Sequence, residues 1–256
     1  MTAFPALARK EAQEIVHTWR IWVLPSIVLV FAVAGPPLAK VTPELLASLT
    51  PPGQQSVALP PATFADAYGQ WVKNLSQLVL FAIIIMYGGL VSTEVREGTA
   101  AFILTKAVKR STFVTAKAAV HAAFIAATFG AGTLITWIAT ALVFGSAPAG
   151  PLWGAAAMMC LFAILLLAFI ELFSVLIPAP AGAAGAGLGL YALLAVAAAW
   201  EPMAKFSPAG IPGLAANIAS GQSHQALAWP TVMSLAAAGL AVAVAVAAFQ
   251  RKELQP

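Results

Sequence analysis

Six long apolar runs dominate the sequence and leave few residues for anything but short connections. They cover residues 21–38, 75–93, 118–144, 152–177, 183–200 and 226–249. Runs of about 20 residues are long enough to cross a hydrocarbon core of about 30 Å. Charged residues make up 9% of the chain and hydrophobic residues 61%, whereas soluble domains carry about 25% charged residues. The sequence therefore predicts an all-α membrane protein, with six transmembrane helices forming a single transmembrane domain over residues 1–256.

The distribution of basic residues predicts how these helices are oriented. Ten of the 13 lysines and arginines lie in the N-terminal region, in residues 94–117 and in the tail after the last run, and the other three are Lys40, Lys73 and Lys205. Cytoplasmic loops carry the excess of basic residues. Both termini are therefore predicted to be cytoplasmic, which agrees with an even number of spans. The heavy use of Ala, Gly and Pro is typical of a GC-rich bacterial genome and favours the bacterial inner membrane.

Residues 3–20 have the pattern of an amphipathic helix. Apolar residues fall at helical spacing on one face, and Arg9, Lys10, Glu14 and neighbouring polar residues lie on the other. With Trp19 and Trp22 at its end, such a helix is expected to lie in the membrane interface as an interfacial helix.

Two outer loops are predicted, over residues 39–74 and 201–225, because both are rich in proline. Thr42 followed by Pro43 is a helix-start pattern, and further short helices are expected at residues 62–72 and 213–220. Gly88 and Gly89, near the end of the second run, are expected to allow another helix to approach closely.

The sequence shows no catalytic constellation. Its three histidines, one cysteine and nine acidic residues are not spaced as metal ligands, and a phosphate-binding loop of the form G-x-x-x-x-G-K-[ST] is absent. We therefore expect no enzymatic activity, no metal site and no cofactor in this chain. A net charge of +4 that is scattered over short loops does not indicate nucleic-acid binding.

Glu171 is the one acidic residue deep inside an apolar run. An ionised carboxylate in hydrocarbon costs several kcal/mol, so this side chain is expected to face the helix bundle. His121 lies at a similar depth in the preceding run, and we expect either His121 or the basic residues 106–117 to be its partner. Three roles are open: pinning helices together, handling substrate or protons, and a side chain that extends to the inner membrane interface.

The most informative segment is residues 94–117, which holds five basic residues between the second and third runs. The pattern at its centre predicts a short helix that has apolar residues on one face and basic residues around that face. Together with Ser92 and Thr93, its motifs Glu94-Val95-Arg96-Glu97-Gly98-Thr99, Phe102-Ile103-Leu104-Thr105 and Val108-Lys109-Arg110-Ser111 resemble the permease subunits of ABC-2 type transporters. Ala107 stands where a proline is common in that family.

This resemblance implies half of an ATP-driven exporter. The permease would pair with a second permease, identical or homologous, and with two copies of a separate nucleotide-binding ATPase, which would bind ATP and Mg. Residues 94–117 would be the cytoplasmic coupling segment. Glu94, Glu97, Gly98 and Thr99 would shape its turn, and Phe102, Leu104 and Thr105 would lie on the docking helix. Lys109 and Arg110 would face the ATPase or lipid phosphates.

A mostly apolar chain suits a hydrophobic or amphipathic cargo, such as a drug, an antibiotic or a lipid, and membrane lipids as surroundings. Together with that cargo, the resemblance to ABC-2 permeases implies an efflux or multidrug export role. Two other readings remain: an autonomous secondary transporter or channel, and a membrane scaffold subunit that transports nothing itself.

Overall fold

The computed structural model describes residues 3–48, 60–105, 108–222 and 228–252. Within these ranges every regular element is helical. The helices are α1 (Ala3–His17), α2 (Arg20–Ser48), α3 (Phe64–Asn74), α4 (Leu80–Tyr87), α5 (Ser92–Arg96), α6 (Thr99–Leu104), α7 (Arg110–Phe144), α8 (Ala149–Leu176), α9 (Pro180–Ala197), α10 (Glu201–Phe206), α11 (Ile211–Ala219) and α12 (Ala228–Arg251).

Six helical stretches are long and apolar enough to cross a membrane, as the sequence predicts. They are Arg20–Leu45, Phe64–Arg96, Arg110–Phe144, Ala149–Leu176, Pro180–Ala197 and Ala228–Arg251. α8 is the most buried of them and α9 the least. The chain is therefore built as a multi-pass membrane protein around α8, which packs against α7, α9, α11 and α12.

Two predicted loop regions prove largely helical. α2 continues to Ser48 through Pro36, Pro37 and Pro43, so residues 39–48 are not loop. Thr42 does not cap a new helix, because its hydroxyl donates to the Leu38 carbonyl 2.6 Å away within α2. Prolines are tolerated in membrane helices where other groups satisfy the freed carbonyls. Residues 49–59 lie outside the described part of the chain.

The second span begins earlier than predicted. The expected short helix at 62–72 is present as α3, which begins at Phe64. α3 runs without a break through a π-helical turn, Leu75–Val79, into α4. The second outer loop contains α10 and α11, and the latter matches the helix expected at 213–220.

Contacts between elements place the three basic regions at one end of the bundle. Lys10 of α1 bonds to Glu94 of α5, and Arg110 at the start of α7 bonds to the Phe249 carbonyl of α12. At the other end, the Lys40 ammonium donates to the Val143 carbonyl. The N-terminal helix, the segment after the second span and the end of the last span thus meet at one end of the bundle, and Lys40 lies at the other.

Gly88 is a point of close approach between the second and fifth spans, and its sequence position predicts such close packing of a neighbouring helix. A Cβ at Gly88 would lie 2.7 Å from the Ala184 Cβ and 2.7 Å from the Pro180 carbonyl oxygen. We expect Gly88→Val to destabilise the protein by about 1–3 kcal/mol, because a side chain there must push the start of α9 away. Thermal unfolding in detergent measures this effect. Gly185→Val is the matched control, since a Cβ at Gly185 meets nothing within 4 Å, and equal losses from the two variants would contradict the packing argument.

Candidate functional site: an ionic cluster beneath the segment between spans two and three

α1 carries an acidic residue on its buried face. Leu7, Glu11 and Ile15 are spaced four residues apart, so they share one side of the helix. All three are buried, and α1 packs against α7. The apolar neighbours Val16 and Trp19 remain exposed. Glu11 is therefore held inside the protein by the same packing that buries Leu7 and Ile15.

The turn between α5 and α6 fixes Glu94 beside α1. Gly98 adopts a left-handed conformation with a φ of 74°, which glycine accepts without strain. The Thr99 hydroxyl then donates to the Glu94 carbonyl at 3.1 Å. One turn earlier, the Ser174 hydroxyl of α8 accepts from the backbone N–H groups of Val91 and Ser92. These contacts hold the Glu94 side chain in place.

Lys117 of α7 joins the two acids. Its ammonium donates to Glu11 Oε2 at 2.9 Å and to Glu94 Oε1 at 2.7 Å, and its side chain is 1% exposed. Lys10 of α1 donates to the same Glu94 oxygen at 2.6 Å. Glu94 thus lies between a lysine of α1 and a lysine of the third span.

Two further residues complete what we term the ionic cluster. Glu14 accepts from Lys10 at 2.8 Å, and Arg20 lies 3.3 Å from the other Glu14 oxygen. The members of the ionic cluster are Lys10, Glu11, Glu14, Arg20, Glu94 and Lys117. Its three cations and three carboxylates balance, which buried charges require.

The ionic cluster shifts the pKa values of its members on α1. Burial would raise the pKa of the Glu11 carboxyl, but His121 and the charges of Lys117 and Lys10 together hold it well below its usual range. Burial would lower the pKa of Lys10, but hydrogen bonds to Glu14 and Glu94 and the nearby acidic charges raise it above its usual range. The pKa of Glu14 is also lowered, since the bond from Lys10 and the charge of Lys117 outweigh its burial.

These shifts predict how stability depends on pH. The contribution of Glu11 is fully present above the ordinary glutamate pKa of about 4.3 and is lost as pH falls towards its lower folded pKa. The contribution of Lys10 is fully present below about 10.4 and is lost as pH rises towards its higher folded pKa. Glu11 and Lys10 should therefore add no pH dependence to stability between about pH 5 and pH 9, and Glu11 should add a fall on the acid side, measured by thermal unfolding. Glu11→Gln should flatten the acid side, whereas the exposed Glu97→Gln should not.

The lysines of the ionic cluster occupy the carboxylates that could otherwise bind a metal ion. Ligand oxygens of Glu11, Glu14 and Glu94 lie within 4.8 Å of one another, close enough to hold a metal ion. Each of these carboxylates already accepts from Lys10 or Lys117. The arrangement is an ion-pair network that ties four helices together, α1, α2, α5 and α7, and its charge leaves no surplus for a divalent cation.

The segment above the cluster presents an exposed short helix. Phe102 of α6 is 64% exposed, and Glu97 and Thr105 are exposed as well. Leu104 is half-buried against a small apolar core that includes Ala100 and Phe113. A cavity of about 280 Å³ separates α6 from α1, and Phe102 and Glu97 line it together with Lys10, Glu14 and Arg20.

Arg110 has a different role from the one expected. Its guanidinium donates to the carbonyls of Phe249 and Gln250, at 3.1 and 3.0 Å, and to that of Lys252. Arg110 therefore caps the end of α12, where helix carbonyls lack partners. Lys109 is exposed.

Glu171 is buried at 0% exposure, as a carboxyl facing the bundle should be. The direct partner expected for it is not found: among the described residues neither of its oxygens has a hydrogen-bond partner. Lys117 is engaged by Glu11 and Glu94 instead. His121 is also buried, with Nδ1 3.3 Å from the Tyr87 hydroxyl and Nε2 3.5 Å from Glu11.

Sequence reasoning overlooked the pairing of Glu11 with Lys117. The signal lies in the spacing of Glu11 midway between Leu7 and Ile15, two apolar residues on one helix face. An acid at such a position is buried and needs a cation from another element. The sequence alone does not say which of the chain's cations supplies it.

Comparison with known proteins gives a family match. A family model described as "Protein of unknown function (DUF2705)" matches residues 58–254. The matched range includes the α5–α6 segment and five of the six spans, but not α1. The search of curated proteins found no match to the chain.

Proposed function

The chain belongs to the DUF2705 family, and we propose that it is the membrane-spanning permease of an ATP-driven exporter of the ABC-2 type. In this proposal the chain forms half of the translocation pathway in a bacterial inner membrane, with both termini in the cytoplasm. ATP and Mg are bound by two copies of a separate ATPase subunit. A second permease, identical or homologous, completes the pathway.

The observation that carries this proposal is the position of Glu94. Its carboxylate lies at the base of α6 and bonds to Lys10 of α1 and Lys117 of α7. A force that a partner protein applies to α6 therefore acts directly on α1 and on the third span. That is the mechanical connection a coupling helix needs, since packed helices respond to a push as rigid bodies.

The small core under α6 strengthens this connection. Ala100 of α6, Phe113 of α7 and Phe249 of α12 belong to the same apolar cluster. The rings of Phe113 and Phe249 stack with their centroids 5.3 Å apart. Movement of α6 would thus reach the third and sixth spans through side-chain packing as well as through charge.

The exposed side of α6 suits a protein partner. Phe102 is 64% exposed beside Glu97 and Thr105, so one large aromatic residue is surrounded by polar ones. Buried aromatic anchors with a polar rim are typical of binding hot spots. We assign the docking of the ATPase to this side of α6. We assign an interfacial position to α1, whose Val16 is exposed, as is Trp19 shortly after the helix ends.

An apolar groove between the first and third spans supports a hydrophobic or amphipathic cargo. It has a volume of about 570 Å³, within the range of small-molecule sites. Trp22, Leu29, Phe124 and Ile135 line it together with small residues such as Ala131. A highly charged polymer would find no complementary charge in this groove.

Purification of the tagged protein from its native membrane in mild detergent, followed by mass spectrometry, tests the proposal. We expect an ABC-type ATPase to be recovered with the chain, and reconstituted vesicles to move cargo only when ATP is supplied. Recovery of the chain alone in several detergents, with transport that needs no ATP, would favour an autonomous transporter or channel. Recovery of other membrane proteins without transport would favour a scaffold.

A further inference from the structure

Glu171 lies in the interior of the bundle without a partner. It is 0% exposed on α8, the most buried span, and buried residues such as Leu167, Ile170 and Val175 flank it along the helix. Neither carboxyl oxygen has a hydrogen-bond partner among the described residues. An ionised carboxylate in this position would keep its full desolvation cost.

The charges nearest to Glu171 are already balanced. Lys117 and Glu11 are close enough to act on it electrostatically, but they belong to the ionic cluster, whose three cations are paired with three carboxylates. An ionised Glu171 would add a fourth negative charge with no cation to match it. Charge balance therefore requires this carboxyl to be neutral while the cluster is intact.

Other ionisable groups do not change this balance. The helices that pack against α8 carry further ionisable residues, among them His121 on α7, Tyr87 on α4, Tyr191 on α9 and Tyr68 on α3. Lys252 follows the end of α12. The Tyr191 hydroxyl donates to the Ser76 carbonyl, the Tyr68 hydroxyl to the Pro148 carbonyl and the Lys252 ammonium to the Val175 carbonyl. α11 contains no ionisable residue. None of these groups hydrogen-bonds to Glu171.

We propose that Glu171 is a proton-binding site, with the carboxyl holding its proton at neutral pH in this arrangement of the helices. The ligand is a proton because both oxygens are sealed from water, so nothing larger has access to them. The inference does not depend on the proposed function, since the same chemistry serves a permease, a channel or a scaffold.

Release of this proton is tied to a change in packing. In the structure described, the released charge would be buried and unpaired. A rearrangement that protonates His121, or that exposes Glu11 or Glu94 to water and so frees Lys117 for Glu171, supplies the missing cation and makes release favourable. Glu171 thus exchanges its proton only when the ionic cluster opens or His121 becomes charged.

Infrared spectroscopy of the purified protein at pH 7, in a detergent that contains no carbonyl group, tests this assignment. A protonated carboxyl has a carbonyl stretching band distinct from the bands of a carboxylate. We expect wild type to show this band and Glu171→Gln to lose it. Glu97→Gln is the matched control: it alters an exposed acid and should remove carboxylate absorbance while leaving the protonated band unchanged.

Two results would overturn the proposal. One is loss of carboxylate absorbance alone in Glu171→Gln. The other needs no variant and therefore remains decisive if Glu171→Gln fails to fold. It is the absence of any protonated-carboxyl band from the wild-type protein at pH 7, whereas a band that shifts in D₂O is the supporting result.

Discussion

Replacing Lys117 with methionine is expected to destabilise the protein by about 3–5 kcal/mol, the usual cost of removing one partner from a buried ion pair. The Lys117 side chain is 1% exposed and pairs with Glu11 at 2.9 Å and Glu94 at 2.7 Å. Without it, Glu11 remains buried beside its neighbouring acids with only Lys10 for compensation. Thermal unfolding in detergent should show a midpoint lowered by roughly 10 °C, as such a loss would give in a chain of this size.

Lys109→Met is the matched control for this variant. It makes the same substitution two turns earlier along the chain, at an exposed lysine, and should change the unfolding midpoint by at most a few degrees. Adding Glu11→Gln to Lys117→Met should restore part of the lost stability, because it removes the carboxylate that was left unpaired. A Lys117→Met protein as stable as wild type would show that the ionic cluster does not hold the helices together.

The spans could be predicted because each one is encoded locally. A run of about 20 apolar residues has few structures open to it in a bilayer other than a helix, since its backbone groups must bond to one another. The position of Arg110 and Lys10 at one end followed from counting charges. The predicted limits of the spans were less accurate. The prolines after residue 38 predicted a loop, but the first of them, Pro43, lies inside α2.

The ionic cluster could not be predicted because its pairs are distant in sequence. Lys10 meets Glu94 across 84 residues and Lys117 meets Glu11 across 106. Nothing in the local pattern distinguishes these partners from the other lysines and acids of the chain. Arg110 illustrates the same limit, since its sequence context suggests an outward-facing cation whereas folding brings the end of α12 to it.

The apolar surface of α6 was predicted only in part. Sequence pattern grouped Phe102 and Leu104 on one docking helix, but the two point differently. Phe102 is exposed, whereas Leu104 is half-buried against the small core shared with Phe113. A substitution at Leu104 would therefore disturb packing as well as docking, and Phe102 is the cleaner probe of partner binding.

Phe102→Asp is expected to lower recovery of the ATPase by at least about tenfold, with an equal loss of ATP-driven transport. The side chain is 64% exposed, so its replacement should shift the unfolding midpoint by only a few degrees while placing a charge at the centre of the proposed contact. Co-purification and transport assays in reconstituted vesicles measure the two effects on the same preparation.

Phe206→Asp is the matched control, because it makes the same substitution at an exposed phenylalanine away from the proposed docking surface. Phe206 is 49% exposed at the end of α10, in the segment that the charge count assigns to the outer side, so this variant should bind the ATPase like wild type. If Phe102→Asp retained full recovery and transport, the partner could not dock on the exposed side of α6. The connection from Glu94 to α1 and the third span would then serve stability alone, and the coupling role proposed for this segment would have to be abandoned.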